Sequence, residues 1–309
     1  MIALMLGRYL TALCAIGLLA ACGAGETPAL ERGASLTPAQ RNSATSDLLY
    51  VSGQNPTEVN VYSYPEGKRI ARLGPFNTPA GECVDSKGNV FITDSGAAAV
   101  IEYAHGGTKP IATLNTFIYS PVRCSVDPTT GNLAVANHDS SSGRGSVLIY
   151  QHARGTPAAY FNNSIFYYLA CGYDAGGNLF VGGSSASGSF ALAELPRGGN
   201  QLTNIAFAQN IAQPAGIQNE GSYLAIGAED VSGDTSDVYH VIVTGKTARV
   251  VQTTHIGTQT IGFFIDAGRL IAAAGREAVL FFKYPKGGAP TKFIGGTNDA
   301  FGVVVSAHR

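Results

Sequence analysis

Few side chains in this sequence stand at spacings that a reaction would need. His138 beside Asp139, in the polar stretch 137–145 that begins with Asn137, has the order of a general base and the carboxylate that orients it. A solvated surface loop explains the same residues. The stretch 228–237 places Glu229, Asp230, Asp234 and Asp237 close together, and such hard oxygen ligands suit calcium. It lacks the spacing and the closing Glu of an EF-hand, so a solvated acidic loop is the stronger reading. Asp85, Asp127, Asp174 and Asp266 recur at intervals of 42, 47 and 92 residues. Each precedes a Gly-containing turn, where Asp accepts hydrogen bonds from the backbone two residues on. They read as turn residues, not as a ring of catalytic carboxylates. There is no Gly-x-Ser-x-Gly elbow, no Cys-x-x-Cys, no His-Glu-x-x-His and no phosphate loop.

These side chains need a scaffold, and the scaffold is a repeat. Pro79-Ala-Gly-Glu-Cys-Val-Asp85 returns as Pro121-Val-Arg-Cys-Ser-Val-Asp127, Tyr168-Leu-Ala-Cys-Gly-Tyr-Asp174, Pro214-Ala-Gly-Ile-Gln-Asn-Glu220 and Thr260-Ile-Gly-Phe-Phe-Ile-Asp266. A sixth copy, Asp299-Ala-Phe-Gly-Val-Val-Val305, lies at the C-terminus. After each of the first five come a turn and an apolar run such as Val90-Phe91-Ile92, then further short strands set off by Gly-rich turns. Four strands per unit of about 40–45 residues is the signature of a β-propeller blade. The segment 47–73 supplies second, third and fourth strands but no first. The C-terminal copy fills that gap by pairing into the first blade, which leaves no open sheet edge. The expected fold is therefore all-β: a six-bladed β-propeller over 47–309.

The pattern Pro-x-Gly-x-x-Val-Asp-x-x-Gly-Asn-Val/Leu-x-Val, clearest at 79–92 and 121–135, resembles that of NHL-type propellers. That group and its six-bladed relatives include protein-binding modules, lactonases and lyases, so the fold alone does not select a function. The resemblance implies a ligand face built from the loops entering each first strand and those joining the second strand to the third. That face would carry Asn77, Asp94, Arg123, Asn137, His138, Asp139, Tyr168, Glu229 and Asp230. Gluconolactonase-like propellers hold a divalent metal at the channel through Glu, Asn and Asp in Asn-Gly and Asp-Gly contexts. Here Asn132 precedes Leu and Asp94 precedes Ser, a departure from that pattern. Glu82, in an otherwise apolar column, is the one odd carboxylate. The leading expectation is a non-catalytic module that binds a protein, peptide or glycan. The alternative is a metal-dependent lactonase- or lyase-like hydrolase at the channel mouth, with calcium as the candidate ion.

Cys124 and Cys171 share a repeat column with Ile217 and Phe263. The column belongs to the apolar face between blades, which favours small buried hydrophobes over a disulfide. Cys83 is displaced by one position and faces the other way. Of the two remaining cysteines, Cys22 closes the run Leu19-Ala20-Ala21-Cys22 at the end of a short apolar segment preceded by Arg8. The segment has the layout of a signal peptide, and a Cys after small residues resembles the lipobox of bacterial lipoproteins. That resemblance implies a signal peptide over 1–21, acylation of Cys22, and a lipidated tether over 22–46. Gly23 in place of Asp implies attachment to the outer membrane. The tether is rich in Gly, Ala, Ser, Thr and Pro without apolar period, so it cannot bury a core. A net charge of −1 offers no electrostatic footprint for nucleic acid.

Overall fold

The structure, a computed structural model, describes residues 46–117, 120–138, 144–209, 211–229, 235–274, 278–297 and 299–308. Cys22, the tether, Asp139 and Asp230 lie outside these residues. The strands run β1 (Leu48–Gln54), β2 (Thr57–Ser63), β3 (Arg69–Leu73), β4 (Pro79–Val84), β5 (Val90–Asp94), β6 (Ala99–Tyr103) and β7 (Pro110–Asn115). They continue as β8 (Ser120–Val126), β9 (Leu133–His138), β10 (Ser146–Tyr150), β11 (Ala158–Tyr160), β12 (Tyr167–Tyr173), β13 (Leu179–Ser184), β14 (Phe190–Leu195) and β15 (Thr203–Phe207). The remainder are β16 (Pro214–Glu220), β17 (Tyr223–Glu229), β18 (Ser236–Thr244), β19 (Thr247–Ile256), β20 (Gly262–Asp266), β21 (Arg269–Ala274), β22 (Ala278–Lys283), β23 (Lys292–Gly295) and β24 (Ala300–Ser306). One 3-10 turn, Gln151–Ala153, separates β10 from β11.

The result is an all-β, propeller-like arrangement. Four sheets have four strands each, in the orders β24-β1-β2-β3, β4-β5-β6-β7, β8-β9-β10-β11 and β20-β21-β22-β23. β24 lies antiparallel to β1, with Tyr50 opposite Val304 and Val51 opposite Val303, so the C-terminal copy does supply the missing strand. The fifth sheet has eight strands, unlike the separate four-stranded blades that the repeat predicts. Its halves, β12–β15 and β16–β19, join through two parallel pairs, Ala206 with Thr247 and Phe207 with Ala248. The outer hairpin β18–β19 has strands of nine and ten residues, longer than its counterparts, and reaches the neighbouring edge.

Burial explains the sequence runs. Val90, Phe91 and Ile92 are buried on both sides because neighbouring sheets cover both faces of β5. Apolar clusters fill each gap between successive four-strand runs. The last, with Leu49, Tyr62, Ile271 and Phe281, returns from β20–β23 to the first sheet. The six copies therefore follow one another round an axis lined by β4, β8, β12, β16, β20 and β24.

The expectation for Cys124 is corrected. Cys83 and Cys124 form a disulfide, with Cα atoms 5.6 Å apart, and only Cys171 among the described cysteines is a buried free thiol. Cys83 faces forward from β4 and Cys124 faces back from β8, so the one-position displacement brings them together across a single gap. Cys171 points back toward Ala134 and the Arg123 carbonyl, and finds no partner thiol there. Burial pushes its pKa up to about 12.

Candidate functional site

The first strands β4, β8, β12, β16, β20 and β24 all begin at one face, the entry face, where the second strands end. Five of these strands bulge at the same place. Ala80, Val122, Leu169, Ala215 and Phe301 are each skipped in the pairing with the neighbouring strand. A bulge leaves its extra residue out of the ladder. The next residue is Gly81, Ala170, Gly216, Gly262 or Gly302 in five copies and Arg123 in the sixth.

That exception closes the axis. Arg123 Nη1 donates to the carbonyls of Ala80 (3.0 Å) and Val122 (2.8 Å), Nη2 to those of Ile261 (2.6 Å) and Phe301 (3.3 Å), and Nε to that of Ala215 (3.2 Å). The side chain thus ties together five of the six inner strands, and a guanidinium has five N–H bonds to give. The small residues opposite make room: a Cβ at Gly81 would stand 2.6 Å from the Val122 oxygen and 2.9 Å from Arg123 Cδ. Beyond Arg123, a cavity of about 480 Å³ runs toward the far ends of the inner strands, at Val84, Val126 and Asn219.

Glu82 is the buried odd carboxylate that its column suggested. Its carboxylate occupies the notch at Gly302, where an added Cβ would collide with Oε2. Neither oxygen has a hydrogen-bond partner of ordinary geometry. Burial pushes its pKa up to about 8, against smaller opposing effects of Ser52 and the Arg123 charge. These residues do not fit a divalent cation: a resident guanidinium holds the axial carbonyls, and one carboxylate remains. Among the described residues no group of three or more His, Cys, Asp or Glu could hold a metal.

The other predicted face residues divide into clasps and open side chains. Asp94 is buried; Oδ2 accepts from the Asn77 N–H (2.8 Å) and Oδ1 from the N–H groups of Thr78 (2.8 Å) and Ala97 (3.3 Å). It ties the loop entering β4 to the loop leaving β5. Tyr168 is wholly buried, its hydroxyl engaged by both backbone groups of Asn162. Asn137 is buried and donates to the Val135 carbonyl (2.7 Å). Glu229 accepts from Gln259 Nε2 (3.0 Å). Asn77 is exposed, and His138 is half-buried. The acidic turn column behaves as expected at Asp85, Asp127 and Asp174, which accept from their own turns. Asp266 instead accepts from the Tyr64 hydroxyl (2.9 Å) across the closing gap.

The open chemistry at this face is aromatic. His138 stacks on Tyr167 with centroids 5.1 Å apart, and Phe166 meets Tyr167 edge-on at 4.8 Å. Phe117, in the loop entering β8, is 54% exposed and held at φ 64°, a backbone region unusual for a bulky residue. Phe161, in the loop entering β12, is also exposed. Sequence reasoning missed all of these except His138. The run Phe166-Tyr167-Tyr168 just before a first strand was the available signal.

The arrangement defines a β-propeller. No family model matches the sequence, and no curated protein matches it. Solved structures do. One, described as a nidogen/laminin complex, has a TM-score of 0.66 at 11% identity over 85% of this chain and 100% of that one. A functionally unknown protein from Desulfotomaculum acetoxidans DSM 771 gives 0.60 at 12% identity, over 85% and 100%. Kuenenia stuttgartiensis hydrazine synthase gives 0.56 at 11% identity, over 76% and 73%. At such identities the likeness is one of fold alone.

Proposed function

We propose that this chain is a six-bladed, NHL-like propeller that binds a protein or peptide partner through its entry face, without catalysis, while acylated Cys22 holds it to the outer membrane. The eight-stranded sheet then counts as two blades whose outer edges touch. The aromatic group Phe117, His138, Phe166 and Tyr167 carries the proposal. Its rings stand on the face that also bears the loops, and interfaces are enriched in such side chains. The buried Tyr168 hydroxyl, engaged by both backbone groups of Asn162, holds the loop entering β12 from which Phe166 projects. The complex of nidogen with laminin named for one structural neighbour is a precedent for this class of use, and no more.

A photo-crosslinking residue placed at Phe117 or Tyr167 in the full chain, in cells, tests the reading. The expected outcome is a discrete crosslinked protein from both positions and none from Phe293, an exposed aromatic on the outer strand β23. Equal labelling from all three positions would refute the face. Detergent partitioning of Cys22→Ser against wild type tests the anchor separately, with loss from the detergent phase expected.

A further inference from the structure

The gap between β12–β15 and β16–β19 contains a second cavity, of about 460 Å³. Its walls include Asp174, Asn178, Glu194, Asn219, Tyr223 and Gly245, and no Arg, Lys or His is among its described lining residues. The volume is that of a small-molecule site. The repeat provides a reference for what belongs there.

Glu194 of β14 has a counterpart in Glu102 of β6. Both sit on third strands, and each pairs with the phenylalanine of its second strand: Glu102 with Phe91, Glu194 with Phe180. Glu102 is buried and receives Arg154 Nη1 at 2.9 Å. That arginine arrives from the connection between β10 and β11, the third and fourth strands of the next sheet. At the Glu194 cleft, the corresponding connection, between β18 and β19, contributes Gly245. Glycine has no side chain to send. Its neighbour Lys246 is exposed and stands outside the lining. Glu194 is left without an ion pair or side-chain hydrogen bond among the described residues, and burial, reinforced by the Asp174 charge, raises its pKa.

We propose that this cleft binds a guanidinium group, carried by a free small molecule or by the arginine side chain of a peptide, in the position that Arg154 fills in the Glu102 gap. The planar fork of a guanidinium suits a carboxylate edge. The site lies between outer strands and turns, away from the entry-face aromatics, and is independent of them.

Calorimetric titration of the full chain with argininamide, citrullinamide and N-acetyl-Gly-Arg-Gly-amide tests this. Argininamide binds wild type at least about tenfold more tightly than its neutral isostere citrullinamide, and Glu194→Gln removes that preference. Val243→Arg, which places a resident cation at the cleft wall, abolishes argininamide binding, and so keeps the test valid even if Glu194→Gln misfolds. Tighter binding of the tripeptide than of argininamide identifies a polypeptide source; the reverse order identifies a free small molecule. Equal binding of argininamide and citrullinamide, no heat with either arginine probe, or unchanged affinity in both variants would overturn the proposal.

Discussion

Replacing Glu82 by Gln should make the protein more stable, and increasingly so as pH rises. The carboxyl is buried in the Gly302 notch without a partner of ordinary geometry, and its pKa is raised from 4.5 to about 8. Between these values the folded chain holds a proton that the unfolded chain has released, so stability falls as pH rises. The stability this group contributes is fully present below pH 4.5 and is lost by the time pH passes 8. The sign is opposite to that of a salt-bridged carboxylate. Moving an ionisation from 4.5 to about 8 corresponds to about 5 kcal/mol in total, of which about 4 kcal/mol falls between pH 5 and pH 9. Urea unfolding of wild type and Glu82→Gln across that range measures it. Wild type should lose about 4 kcal/mol more than the variant, because the amide keeps the shape and has no proton to lose. Parallel pH profiles would refute the reasoning.

The inner ring makes three further predictions. Arg123→Met strips the donors from five axial carbonyls and should cost about 3–5 kcal/mol in urea unfolding. Arg123→Lys, with three donors, should cost less but not nothing. Gly302→Ala drives a methyl into the Glu82 carboxylate and should destabilise by about 3 kcal/mol. In a Glu82→Ala background the same change should cost clearly less, so a double-mutant cycle reads the coupling. Cys83→Ser opens a loop spanning 41 residues, for a loss of about 4 kcal/mol by loop-closure entropy. Reducing agent should reproduce that loss in wild type and have no effect on the variant.

The propeller was legible because its signals are periodic. Each of the first five copies repeats an inner strand, a turn and an apolar second strand, and three of the turns are capped by Asp85, Asp127 and Asp174. The incomplete first unit foretold the pairing of β24 with β1. The joining of β15 to β19 was not legible, since it depends on how far a long hairpin leans, not on any pattern in its residues. Column parity placed Cys83 and Cys124 on opposite faces of their strands. The consequence, that opposite faces of successive inner strands look at each other, needed the ring itself. Arg123 was visible as a departure from a column of Gly and Ala. That its guanidinium would meet five carbonyls depended on bulges, which redirect backbone groups without a sequence signature of their own. Phe117, Phe161, Phe166 and Tyr167 were passed over because exposed and buried aromatics look alike in sequence. Only the loop geometry distinguishes the turned-out ring of Phe117 from the wholly buried Tyr168.

The central claim is that the entry-face aromatics are a partner surface. The most direct measurement is the affinity of the crosslinked partner for wild type, Tyr167→Ser and Phe293→Ser. Loss of a ring at the centre of an interface weakens binding by about 10- to 100-fold, and this is expected for Tyr167→Ser with Phe293→Ser at the wild-type value. Equal affinities for all three proteins would contradict the account.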